Sequence, residues 1–101
     1  EGGKIEGGER YLPDLRKLIE ARKTYPSLSR RMAETGRVLI RFQIARDGQF
    51  SNISVLKSSG YERLNSAALA LVQELARYRE FPAAITDPSL SVEIPIDYVL
   101  D

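Results

Sequence analysis

The hydrophobic period of this chain changes at Arg37, and that change limits the folds open to it. Val38, Ile40, Phe42 and Ile44 alternate with Arg37, Leu39, Arg41 and Gln43, and an apolar residue at every second position marks a strand with one buried face. The same alternation returns at the end of the chain, where Val92, Ile94, Ile96, Tyr98 and Leu100 share a side. Asp47-Gly48 predicts a tight turn, after which Phe50 to Lys57 comes back as an antiparallel strand with Ile53 and Val55 on one side. One buried sheet face requires a cover. Leu64, Ala67, Ala68, Leu71, Val72, Leu75 and Tyr78, spaced by three and four, predict the helix that supplies it, opened by a Ser59/Glu62 capping box and stopping before Phe81-Pro82.

Upstream, Tyr11-Leu12-Pro13 predicts the start of a further helix carrying Leu15, Leu18, Ile19 and Arg22, which Tyr25-Pro26 ends. Pro26 then opens a short helix through Leu28 and Met32, closed by Gly36. Residues 1–10 hold four glycines and one apolar side chain, so they read as a flexible linker or cloning remnant, with the domain at 11–101. The expected fold is α+β in two layers: a small three-stranded antiparallel sheet packed against one main helix, with an extra N-terminal helix.

Composition removes most chemistry from consideration. The 101 residues include no Cys, His or Trp, so thiol and Ser/His/Asp nucleophiles, His and Cys metal ligands and disulfides are all excluded. The acids are scattered singly, Lys57 and Ser58 are adjacent on a strand and point to opposite faces, and Gly36, Gly48 and Gly60 are too far apart to cradle a phosphate. No enzyme, cofactor or metal is expected. Net charge is +1, yet residues 10–46 carry ten basic residues against three acids while 47–101 is acidic. Arg22, Lys23, Arg30, Arg31, Arg37, Arg41 and Arg46 form a basic block. The acidic second half and the core position of Phe42 argue against nucleic acid as its partner.

The last strand is the most informative element. It closes a sheet of three strands and so lies at an edge, a ready template for an incoming strand. Pro95 has no N–H to give, which places its side of the strand away from the ladder and leaves Glu93, Asp97 and Val99 to offer open backbone groups. The competing role for Glu93, Pro95 and Asp97 is protection of the edge against aggregation.

Tyr25-Pro26 followed by Gly36-Arg37-Val38, the run Val38-Leu39-Ile40-Arg41-Phe42 into Asp47-Gly48, Val55-Leu56-Lys57-Ser58-Ser59-Gly60, Leu64-Asn65-Ser66-Ala67-Ala68, Phe81-Pro82 and the Val92–Leu100 strand together resemble the C-terminal domain of TonB-type energy transducers. The resemblance covers about residues 11–100. It implies a periplasmic domain of a protein anchored in the inner membrane of a Gram-negative bacterium. Such a domain binds the TonB box of outer-membrane transporters by strand addition and couples the inner-membrane ExbB–ExbD proton channel, through an anchor outside this chain, to uptake of siderophore, haem or cobalamin. Carried over, the peptide-binding edge falls on Val92, Glu93, Ile94, Pro95, Ile96, Asp97, Tyr98 and Val99, and Arg22, Tyr25 and Pro26 approach the transporter plug. Ala21-Arg22-Lys23-Thr24 stands where some members have a glutamine- and proline-rich stretch, so side-chain contacts there do not carry over. A homodimer by exchange of edge strands and a related envelope scaffold are the further expectations.

Overall fold

The stretch that begins the period-two pattern is the central strand of the sheet. The computed structural model describes residues 2–100, with side chains from Glu9 onward. Its elements are helices α1 (Gly2–Arg22) and α2 (Ser27–Arg31), strands β1 (Gly36–Ala45) and β2 (Phe50–Lys57), helix α3 (Glu62–Leu75) and strand β3 (Ser89–Tyr98). The sheet is antiparallel in the order β2-β1-β3, so the expected two-layer α+β architecture is the one observed. Val38, Ile40, Phe42 and Ile44 of β1 and Val92, Ile94, Ile96 and Tyr98 of β3 form one buried face. Two helical stripes cover it, Leu64, Ala68 and Val72 from α3 and Tyr11, Leu15 and Ile19 from α1, each at successive spacings of four. Each large apolar side chain taken out of water in this way contributes about 1.5–3 kcal/mol.

The tip of the β1–β2 hairpin is where backbone geometry is tightest. Gly48 has φ +95° and donates its N–H to the Ala45 carbonyl at 2.8 Å, while the Asp47 carboxylate accepts from the Gln49 N–H at 3.1 Å. The segment after α3 is stitched onto this tip: Phe50 N–H to the Ala76 carbonyl, Tyr78 N–H to the Gly48 carbonyl and Phe81 N–H to the Arg46 carbonyl, at 2.9–3.0 Å. Tyr11 closes the same corner, its hydroxyl donating to the Arg79 carbonyl at 2.7 Å and its ring meeting Tyr78 and Phe81 edge-on at 5.2 and 5.3 Å.

The helix ends differ from expectation, each for a nonlocal reason. Helix α1 takes in Gly2 to Arg10, the stretch read as linker, and passes through Pro13, which lacks the N–H that would reach the Glu9 carbonyl. Among the described side chains of α1 the first to be buried is Tyr11, and a helix fixed there extends backward by one bond per residue. The side chains of residues 1–8 lie outside the described ones. Helix α2 is closed by Ala33 rather than Gly36: with Ala33 at φ 57°, its N–H reaches the Arg30 carbonyl and the Glu34 N–H reaches the Ser29 carbonyl, the paired bonds of a Schellman turn. Helix α3 ends at Leu75, with Ala76 left-handed at φ 63°, because the chain turns there toward the hairpin. The capping box does not form. Ser59 gives both its N–H and its hydroxyl to Asn65 Oδ1 at 2.9 Å, and Asn65 Nδ2 donates to Ser58 Oγ at 2.8 Å, while Ser59 Oγ accepts the Tyr61 N–H at 3.1 Å and the cap residue Tyr61 makes no side-chain cap bond to the helix.

Candidate functional site

Among the described residues strand β3 has a neighbouring strand on one side only. Ten consecutive residues, from Ser89 opposite Ala45 to Tyr98 opposite Gly36, are in register with β1. In an antiparallel strand the N–H and C=O of one residue point the same way and alternate from residue to residue. Pro95 stands opposite Leu39 and donates nothing, so the ladder to β1 is carried by Val92, Ile94, Ile96 and Tyr98, and the backbone of Glu93, Pro95 and Asp97 faces outward. One contact reports this orientation directly: the Asp97 carbonyl accepts a hydrogen bond from Nζ of Lys23, which follows the last residue of α1 and is not part of the sheet.

Six of the ten side chains of the strand are already engaged. Val92, Ile94, Ile96 and Tyr98 lie in the core. Glu93 meets Arg41 at 2.9 Å and Asp97 meets Arg37 at 2.6 and 3.1 Å across the open face of the sheet. Val99, expected within the strand, lies just beyond it and is 70% exposed, because β1 begins at Gly36 and has no residue to set opposite it. Along its outer edge β3 still has backbone groups to offer.

Helix α1 runs beside this edge. Leu12 and Arg16, one turn apart, line a cavity of about 300 Å³ with Ser91, Val92, Glu93 and Ile94. Further along, Lys23 reaches the Asp97 carbonyl, pairs with Glu20 at 2.5 Å and sits 5.6 Å from the centre of the Tyr98 ring. Tyr25 also comes to this end of β3. Its ring meets Tyr98 edge-on at 5.3 Å, its hydroxyl donates to the Glu34 carbonyl, and Arg30 stacks over it at 5.3 Å. Pro26 follows as the cap residue of α2. Arg22 is not part of this cluster, lining instead a cavity of about 270 Å³ against α3 with Leu71, Glu74 and Leu75. Sequence reasoning did not single out Leu12, Arg16 or Lys23 as edge residues. Their spacing along one side of α1 is a signal only once the helix is known to lie along β3.

Electrostatics tie the site to its frame. Hydrogen bonding to Arg37 holds the Asp97 carboxyl below its ordinary value of 3.8, and hydrogen bonding to Arg63 at 2.6 Å holds the mostly buried Glu34 below 4.5. Burial, followed by the charges of Glu20 and Tyr25, pushes the Tyr98 hydroxyl up to about 12. A carboxyl whose pKa is lowered by folding contributes stability above its unfolded value and loses it as pH falls through the folded one. Thermal melts taken from pH 6 downward should therefore show a falling midpoint below about pH 4, with a shallower fall in Arg63→Gln. An unchanged slope in that variant would remove Glu34 from the account.

The fold is thus an α+β layer pair whose antiparallel sheet ends in an edge strand with its backbone turned outward. The chain belongs to the family described as the C-terminal domain of the Gram-negative bacterial TonB protein, whose sequence model matches residues 21–100. It is 33% identical to Protein TonB of Pasteurella multocida over 97% of its own length and 37% of that protein's, and 37% identical to Protein TonB of Haemophilus influenzae over 83% of its own length and 31% of that protein's. The chain thus spans about a third of these relatives. Among solved structures it is similar to the Helicobacter pylori TonB-CTD, with a TM-score of 0.77 and 29% identity over 91% of this chain and 82% of that one. It is also similar to HasB CTD, with a TM-score of 0.59 and 25% identity over 96% of this chain and 76% of that one. Among the described residues no helix is long and apolar enough to cross a membrane.

Proposed function

We propose that this chain is the periplasmic receptor-recognition domain of a TonB energy transducer, and that it takes the TonB box of an outer-membrane transporter as a fourth strand on β3. In that role it passes proton-motive work from an inner-membrane ExbB–ExbD complex to the transporter plug for uptake of a siderophore, haem or cobalamin. The observation that carries this reading is the outward backbone of Glu93, Pro95 and Asp97 on an edge strand whose charged and large apolar side chains are otherwise engaged. Pairing through main-chain groups is tolerant of sequence, which suits one domain to several transporters. The donor missing at Pro95 removes at most one bond, a net of about 0.5–1.5 kcal/mol. The position of Tyr25 and Pro26 at the C-terminal end of β3 supports their facing the plug beside the bound strand.

Titrating the ¹⁵N-labelled domain with a synthetic TonB-box peptide should shift β3 amides, with none of this for a scrambled peptide. Glu93→Pro deletes an outward donor without touching the ladder to β1 and should weaken binding about fivefold, the equivalent of one net hydrogen bond. No shift in β3 with millimolar peptide would sink the strand-addition reading and leave that of an envelope scaffold.

A further inference from the structure

We infer that Lys23 is a register stop, a side chain just past the end of α1 that limits how far along β3 an incoming strand can pair. The inference rests on the strand-addition reading and goes beyond it, since it names the residue that sets the length of the bound segment.

The outward side of β3 is not uniformly open. Beside Ser91 to Ile94 it borders the cavity under Leu12 and Arg16, which leaves room for the side chains of an added strand. At Asp97 the carbonyl that such a strand needs as an acceptor is already bonded to Lys23 Nζ. A new strand runs about 4.8 Å from its neighbour, and the ammonium group, within hydrogen-bond reach of that carbonyl, occupies the same path. Two groups besides that carbonyl hold Lys23 there: Glu20 Oε2 lies at 2.5 Å and the Tyr98 ring stands 5.6 Å away, and the side chain is only 16% exposed. Pro95, just before, contributes no donor to the edge. Proline and lysine together therefore divide the strand into an open half, Ser91 to Pro95, and a half closed from Asp97 onward. The charged tip also stands in the way of the full length of β3 pairing with the β3 of a second copy.

The test compares the wild-type domain with Lys23→Met, which keeps the stem over Tyr98 and removes the donor, and Lys23→Arg, which keeps a donor. Thermal melts establish that all three are folded. The readout is hydrogen exchange of the outward amides of Glu93 and Asp97 in each domain saturated with the synthetic TonB-box peptide. In wild type and Lys23→Arg, protection is expected at Glu93 and not at Asp97. In Lys23→Met it should extend to Asp97, and the peptide should bind about fivefold more tightly, the equivalent of about one added hydrogen bond. Peptide binding with the same footprint and affinity in wild type and Lys23→Met would overturn the register stop while leaving strand addition standing. Failure of the peptide to bind any of the three folded domains would overturn both.

Discussion

Gly48→Ala is expected to destabilise the domain by about 3–5 kcal/mol, a large share of the 5–15 kcal/mol that holds a domain of this kind together. Two effects add. At φ +95° a residue with a Cβ is strained, at a cost of about 1–2 kcal/mol. The Cβ would also stand 2.0 Å from the Tyr78 carbonyl oxygen and 2.9 Å from its carbon, and neither atom can leave by a change of rotamer. Relief requires the hairpin tip to move off the 76–81 segment, which loosens the bonds from Tyr78 N–H to Gly48 and from Phe81 N–H to Arg46. Gly60→Ala separates the two effects, because Gly60 has φ +97° with nothing within 4 Å of the added atom. It should cost only the conformational part, about 1–2 kcal/mol. Urea midpoints of the two variants against wild type provide the measurement, and equal losses would mean that the close approach at Tyr78 is absorbed without strain.

The second large effect is expected at Phe42. It lies in the middle of the central strand, fully buried, opposite Val92 in register and 4.6 Å from the Phe50 ring. Phe42→Ala removes most of a side chain from a site walled by two paired strands and the helices above them, walls that cannot close far onto the space left behind. A loss of about 4 kcal/mol follows from the transfer and cavity contributions together. In a domain of this size that lowers the melting midpoint by about 20 °C. Phe42→Leu should lose about 1–2 kcal/mol, since it keeps much of the volume. A loss under about 2 kcal/mol for the alanine variant would show that the core repacks around the gap, contrary to close packing.

The strands could be read from the chain because their faces are set by an alternation that each residue carries locally. Val38, Ile40, Phe42 and Ile44 are all buried, and β2 runs from Phe50 to Lys57 as the pattern indicated. Helix ends were harder to read because distant groups decide them. The end of α3 is fixed by the pull of the Gly48 and Phe50 backbone on Ala76 to Tyr78, and the capping box at Ser59 is lost because Asn65 accepts the Ser59 N–H, Ser59 Oγ accepts from Tyr61, and the helix begins after Tyr61. Nor does sequence show that Ala33 accepts a left-handed conformation that Gly36 was better suited to provide. At the candidate site, chain order and Pro95 indicated which strand would be an edge and which way its backbone would face. The split between Lys23, turned to β3, and Arg22, turned to α3, was not legible. Neighbours at a helix end point about 100° apart, and only the path of α1 across the sheet decides which of them meets the edge.

The ion pairs on the open face of the sheet have a consequence for how the chain assembles. As exposed pairs they contribute little to equilibrium stability. The hairpin of β1 and β2 is local in sequence, whereas β3 lies beyond α3 and must return from far along the chain to reach β1, a slow step because the loop has to close before the contacts are gained. Until then one side of β1 is unpaired, an aggregation hazard in a nascent chain. Arg37 and Arg41 lie along that unfinished side. Two immature copies meeting there bring like charges together, which opposes their pairing. β3 alone arrives with Asp97 opposite Arg37 and Glu93 opposite Arg41. Those four charges work as a password: they turn away another unfinished chain and admit the strand that completes the fold.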